Sequence, residues 1–137
     1  MSSIRDLMTE SPTTCEPSTT VVEAAKVMAN EDVGPVPVVQ EGRVVGLVTD
    51  RDLVIRVLAE GRDPSSTTIG EIASSDLVTV RPDSDLQEAL QLMAQNQVRR
   101  LPVVEGEQLV GIVAQADVAR AAEEEHTGEV VQEISQP

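Results

Sequence analysis

The chain repeats itself once. Pro37-Val38-Val39 returns as Pro102-Val103-Val104, Val45-Gly46 as Val110-Gly111 and Asp52 as Asp117, each 65 residues further on. The same offset pairs Ile4 with Ile69, Thr14 with Thr79, Pro17 with Pro82, Glu23-Ala24 with Glu88-Ala89, Met28-Ala29 with Met93-Ala94 and Val33 with Val98. Chance does not hold a register over more than a hundred residues without a gap. A tandem duplication restricts the fold to one that builds two like units. Each unit has only about 60 residues, a marginal size for an independent core.

Both copies carry the same order of signals. Thr13 to Cys15, and Leu77 to Val80, read as short extended pieces closed by Pro17 and Pro82. Thr20-Val21-Val22-Glu23 has the form of a capping box, and Asp85-Leu86-Gln87-Glu88 is its counterpart with Asp as cap. Each opens a helix, ending near Asn30 and Gln95. Two strands follow, Val36 to Val39 and Val44 to Val48, joined across Glu41-Gly42; their images are Leu101 to Val104 and Leu109 to Val113. A second helix spans Asp50 to Leu58 in one copy and Gln115 to Ala122 in the other. The order is β-α-β-β-α, an α+β class. The domain boundaries read from this are repeat 1 over 1–60, a Gly/Pro/Ser linker over 61–67, repeat 2 over 68–122 and an acidic tail over 123–137.

The first-copy helices are apolar over more than one face. Val21, Val22, Ala24, Ala25, Val27, Met28 and Ala29 leave little polar surface, and Leu53, Val54, Ile55, Val57 and Leu58 do the same, where one surface helix needs a stripe of roughly 100°. Two readings account for the excess: packing on the sister repeat and a second chain, or a single core with unusually apolar helices. The tail, with five acidic residues and no basic one, reads as frayed and solvated, or as a short helix that docks on a partner.

Composition removes several functions. With 24 acidic and 10 basic side chains, net charge −14, the chain has no basic face to displace the counterions of duplex nucleic acid or of an anionic membrane. It has no Trp, Tyr or Phe, so single-stranded bases find no aromatic platform. Cys15 and His126 are the sole residues of their types. One cysteine excludes an intrachain disulfide, and Ser-His or Cys-His catalysis and His-rich metal sites lack their parts. Neither a catalytic residue nor a metal ligand set is predicted. Met1 to Glu10 shows no basic region followed by an apolar run, and no stretch approaches 18 uninterrupted apolar residues. The expectation is a cytoplasmic protein that is not an enzyme.

A duplicated unit with a Met-containing first helix, a Pro-Val-Val strand and Gly-Leu-Val-Thr-Asp-Arg-Asp at the end of the second strand resembles the CBS domain, named for cystathionine β-synthase. Two such repeats form a CBS pair, or Bateman module, and the resemblance runs from Ile4 to Ala122. It is nearest to small bacterial stand-alone CBS pairs. The resemblance implies pseudo-twofold packing of the repeats and dimerisation through their helices into a disc.

It also implies a site. Thr49 ends a strand and begins a helix, where unpaired backbone N–H groups and the helix dipole favour an anion. Asp52, one turn later, suits vicinal ribose hydroxyls. In similar proteins the Ser/Thr and Asp of this pattern hold the phosphate and ribose of adenosine nucleotides. Thr-x-x-Asp is equally a capping box. Arg51 lies between the two, and Val33, Val36 and Pro37 supply the purine side. Arg99 and Arg100 match a place from which, in the regulatory subunit of the AMP-activated kinase, basic residues reach phosphates; the alternative is that they pair with local carboxylates. In the second copy Asp117 persists, but Ala114 replaces the hydroxyl donor, which leaves that site in doubt. The reading is a regulatory module that senses an adenosine-containing metabolite (AMP, ADP, ATP or S-adenosylmethionine) and signals to an unidentified protein partner. It needs no resident cofactor. The competing reading is a ligand-free scaffold.

Overall fold

The computed structural model of the protein describes residues 2–73 and 77–135, with side chains as far as His126. Its elements run α1 (Ile4–Leu7), β1 (Thr9–Glu10), α2 (Val21–Glu31), β2 (Val36–Gln40), β3 (Arg43–Val48), α3 (Asp50–Leu53), α4 (Ile69–Ile72), α5 (Leu86–Asn96), β4 (Arg100–Glu105), β5 (Gln108–Ala114) and α6 (Gln115–Ser135). This is the mixed helix and strand content of the expected class. Among the described residues no helix is long and apolar enough to cross a membrane.

The duplication recurs in individual hydrogen bonds. Cys15 N donates to Pro37 O at 3.0 Å and Cys15 O accepts from Val39 N at 2.8 Å, while Val80 N donates to Pro102 O at 3.1 Å and Val80 O accepts from Val104 N at 2.8 Å. The two extended pieces therefore reduce to single parallel bridges, Cys15 to Val38 and Val80 to Val103. Helices α2 and α5 both end on a left-handed residue, Asp32 (φ 53°) and Gln97 (φ 55°). The next N–H, of Val33 and of Val98, reaches back to Met28 O and Met93 O, both at 3.0 Å. That closure satisfies carbonyls the helix end would leave free.

The chain forms two compact units, and neither is one copy alone. The first comprises Ser11–Leu77 with Gly106–Val110; the second comprises Met1–Glu10, Val78–Glu105 and Gly111–Pro137. In the first, β2 and β3 form an antiparallel hairpin, with Val36 opposite Val48. Glu41 and Gly42 turn it with φ of 53° and 80°, as a two-residue hairpin loop demands. Its core gathers Ala24 and Met28 of α2, Val38 and Val48 of the hairpin, Val57, and Ile69 and Ile72 of α4. Helix α4 opens the second sequence copy yet buries both its isoleucines here. Ile69 N donates to Thr19 O at 2.8 Å and Gly70 N to Pro17 O at 2.9 Å. The second unit mirrors this. Ile4 of α1 is fully buried, Arg5 N donates to Pro82 O at 3.0 Å, and β1 runs antiparallel to β5 with Glu10 opposite Gly111.

Three details differ from the sequence reading. After α3 the helix continues as a π-helical turn over Val54–Leu58. The stretch read as a linker is hydrogen-bonded to the start of α2, where Val22 N donates to Pro64 O and Val21 N to Thr67 O. Helix α6 passes its expected end at Ala122 and reaches Ser135; Glu123, Glu124 and Glu125, good helix formers, continue it directly from Ala121 and Ala122. The side chains of Val130, Val131 and Ile134 lie outside the described residues.

Candidate functional site

The candidate site is the junction between β3 and α3 in the first unit. The strand brings Val48 into the core, and Thr49, in extended conformation, caps the helix. Its hydroxyl oxygen accepts from Asp52 N at 3.2 Å and donates to Asp52 Oδ2 at 3.1 Å, and the same Oδ2 accepts from Thr49 N at 2.9 Å. The capping box is therefore complete. A hydroxyl has one proton, so a phosphate oxygen at Thr49 would compete with Asp52 for it.

The expectation of free N–H groups at this helix start is corrected by the structure. Asp50 N donates to Gly34 O at 3.2 Å and Leu53 N to Thr49 O at 3.3 Å. Arg51 N is taken by Asp50 Oδ1 at 3.0 Å, and Asp52 N by Thr49. The helix start is satisfied by two backbone carbonyls, the Thr49 hydroxyl and the Asp50 carboxylate, so an anion would have to displace one of these partners. What remains open is Asp52 Oδ1. Its neighbour is Arg56 Nε at 3.8 Å, beyond hydrogen-bond distance. A carboxylate oxygen with unused lone pairs, on a side chain 23% exposed, can accept from a pair of vicinal hydroxyls.

Two residues absent from the sequence reading take part. Arg56, one turn beyond Asp52, anchors its guanidinium on Ile72 O at 2.7 Å and so ties the site helix to the end of α4; the i, i+4 spacing from Asp52 was the available signal. Asp50 packs over Gly34, where a Cβ would stand 3.1 Å from Asp50 Oδ1. That close approach explains glycine where the second copy has Arg99, whose carbonyl accepts from Gln115 N at 2.9 Å.

The other expected residues are distributed as follows. Arg51 and Val33 are exposed. Val36 and Pro37 are buried, Val36 completely; the Val36 side chain fills the core, so only its backbone is left for a ligand. Arg99, Arg100 and Asp117 belong to the second unit. Asp117 pairs with Arg120 at 3.8 Å and is 48% exposed. Arg100 Nη1 donates to Arg99 O at 3.1 Å. Among the described residues neither Arg99 nor Arg100 makes an ion pair, so the pairing with local carboxylates that would explain them without a ligand is not found there. Cys15 is buried, and burial pushes its thiol up to about 11. Among the described residues no three His, Cys, Asp or Glu side chains are gathered to hold a metal ion.

Comparison with known proteins places this geometry. The CBS domain family model matches residues 4–59 and 69–124. The chain is 47% identical over 119 residues to the CBS domain-containing protein YhcV of Bacillus subtilis, covering 87% of this chain and 84% of that protein. It is 38% identical over 138 residues to Hypoxic response protein 1 of Mycobacterium tuberculosis, covering 100% and 96%. The crystal structure of Hypoxic Response Protein I, with two coordinated zinc ions, superposes with a TM-score of 0.80 at 40% identity over 88% of this chain and 99% of that one. The CBS domain pair of protein MJ0100, in complex with 5'-methylthioadenosine and S-adenosyl-L-methionine, gives 0.80 at 26% identity over 91% and 98%. CBSX2 in complex with AMP gives 0.75 at 27% identity over 90% and 98%.

Proposed function

This chain belongs to the CBS-domain family, and we propose that it is a regulatory, non-catalytic module that binds an adenosine-containing metabolite and works as a homodimer. The observation that carries this reading is the Thr49–Asp52 pair, part-buried at a strand-to-helix junction, with Asp52 Oδ1 open to a diol. Support comes from the two related CBS pairs whose structures hold AMP or methylthioadenosine and S-adenosylmethionine. In our assignment Asp52 takes the ribose, Thr49 turns its hydroxyl proton to the phosphate end, and Val33 with the backbone of Val36 and Pro37 lines the purine side. Arg51 is the cation of this unit assigned to phosphate oxygens, and Arg99 and Arg100 are the anion-binding candidates of the second unit; a pair of phosphate oxygens suits a guanidinium fork. The second loop, with Ala114 before Asp117 and no hydroxyl donor, is the weaker one. One ligand per chain is the expected stoichiometry.

The composition supplies the test. With no Trp or Tyr the protein is almost transparent at 280 nm, so retained nucleotide shows as a 260 nm band against an empty background. Calorimetry with AMP, ADP, ATP and S-adenosylmethionine then gives the stoichiometry. Asp52→Asn should lower affinity at least about tenfold, an interaction of about 1.4 kcal/mol, while Asp117→Asn changes it little. No band, and no heat with any of the four, would leave the scaffold reading in possession.

A further inference from the structure

Arg56 has one end of its guanidinium fixed and one donor unused. It stands in the π-helical turn after α3, and its Nη1 donates to Ile72 O at 2.7 Å. That carbonyl lies in the last turn of α4, where a helix leaves its carbonyls without intrahelical partners. Helix α4 is itself held in place. Its Ile69 and Ile72 are buried, and Glu71 Oε2 accepts from Arg62 Nη2 at 3.0 Å.

The other donor meets the site. Arg56 Nε stands 3.8 Å from Asp52 Oδ1, and among the described residues its N–H donates to no acceptor. Asp52 Oδ2 is engaged in the capping box, so Oδ1 holds the unused lone pairs. A donor and an acceptor 3.8 Å apart do not satisfy each other. One hydroxyl oxygen about 2.8 Å from each closes the gap, giving its proton to Oδ1 and accepting from Nε. A carbonyl or ether oxygen has no proton for Oδ1, and an ammonium has no lone pair for Nε.

The duplication shows that the fold does not demand this pair. Sixty-five residues on, Arg56 becomes Ala121, which is buried in a helix that runs on without a π-helical turn. Such turns inside helices recur at functional sites. We propose that Arg56 is a specificity-determining ligand residue: with Asp52 it reads one ribose hydroxyl of the bound adenosine and so selects ribonucleosides over their deoxy forms. The inference rests on the ribose reading of Asp52 and adds the donor that a carboxylate lacks. Asp52 takes protons from the diol, and Arg56 fixes where one hydroxyl oxygen lies.

Equilibrium dialysis, read at 260 nm, with adenosine and its 2'-deoxy and 3'-deoxy analogues tests this, because adenosine is the part common to the four ligands above. The native protein should bind adenosine, and at least one analogue about tenfold more weakly, as expected when a charge-assisted hydrogen bond goes unmade. In Arg56→Met the ratio for that analogue should shrink at least about threefold. Arg56→Lys keeps a cation for Ile72 O but puts a methylene where Nε stands, and its ratio should shrink likewise. Loss of the tie to α4 alone weakens adenosine and analogues together and leaves the ratio unchanged. A native-like ratio in both variants therefore overturns the role of Arg56 while the ribose reading of Asp52 stands. Equal affinity of the native protein for all three nucleosides overturns both. No adenosine bound by the native protein overturns the adenosine reading, and this proposal with it. If urea unfolding shows that Arg56→Met has lost its native transition, the ratio in Arg56→Lys decides.

Discussion

At the residue scale the chain shows how one pattern serves two ends. Thr49 and Asp52 were legible in the sequence both as a cap and as a ligand pair, and the structure realises the cap in full. It was not legible that Gly34 O, the Asp50 carboxylate and the Thr49 hydroxyl would absorb the N–H groups an anion would use. That depends on side-chain rotamers, which spacing does not encode. Cys15 makes a sharper case. Buried against the β2 strand, its thiol is pushed from an ordinary value of 9.0 up to about 11, because a thiolate loses its hydration there. Below pH 9 the proton is bound in both folded and unfolded chains and the full stability is present. Between about 9 and 11 the unfolded chain releases the proton while the folded one keeps it, so stability falls as pH rises, by at most about 3 kcal/mol. The background is quiet, since the chain has no tyrosine and Lys26 as its one lysine. Urea unfolding at several pH values across this window should show the decline in the native protein and a flatter line in Cys15→Val. Equal slopes would mean that the thiol is solvated.

At the scale of elements, long periodic segments were readable and short ones were not. Helices α2 and α5, the two hairpins and their turns fall within about two residues of where capping and alternation place them. Helices α1 and α4 have four residues each, too few for a 3.6-residue period to show. They persist because each carries a capping box (Ser3 with Asp6, Thr68 with Glu71) and buries an isoleucine. The two-residue strand β1 is equally invisible in sequence. Its place depends on Gly111, where a Cβ would stand 2.6 Å from Met8 Sδ and 2.9 Å from Thr9 O. Thr9 O is backbone of the paired strand and cannot yield without moving β1 from β5. Gly111→Ala should therefore cost about 1–3 kcal/mol as an overpacked site, read from the urea midpoint. A loss below a few tenths would show that β1 is loosely held.

At the scale of the whole molecule, the 65-residue offset fixed two like units but not their membership. Ile4 and Ile69 are images of each other, so either could satisfy either core, and hydrophobic pattern alone cannot choose. The structure buries Ile69 and Ile72 with the first copy's helices and hairpin, and Ile4 with the second copy. The sequence repeat thus does not coincide with the compact unit. Each fully buried isoleucine contributes about 1.5–3 kcal/mol, so a first repeat cut before residue 69 loses about 3–6 kcal/mol of burial. A unit of this size rarely has more than 3–5 kcal/mol to lose. A fragment of residues 1–60 should therefore unfold without a cooperative transition, whereas residues 11–77, which drop α1 and keep α4, should regain one. In the full chain Ile69→Ala should cost about 2–5 kcal/mol through the cavity it leaves. Urea titrations followed by far-ultraviolet circular dichroism distinguish the two fragments. If residues 1–60 unfolded as sharply as residues 11–77, the first copy would be self-sufficient and the exchange of leading helices would carry no stability.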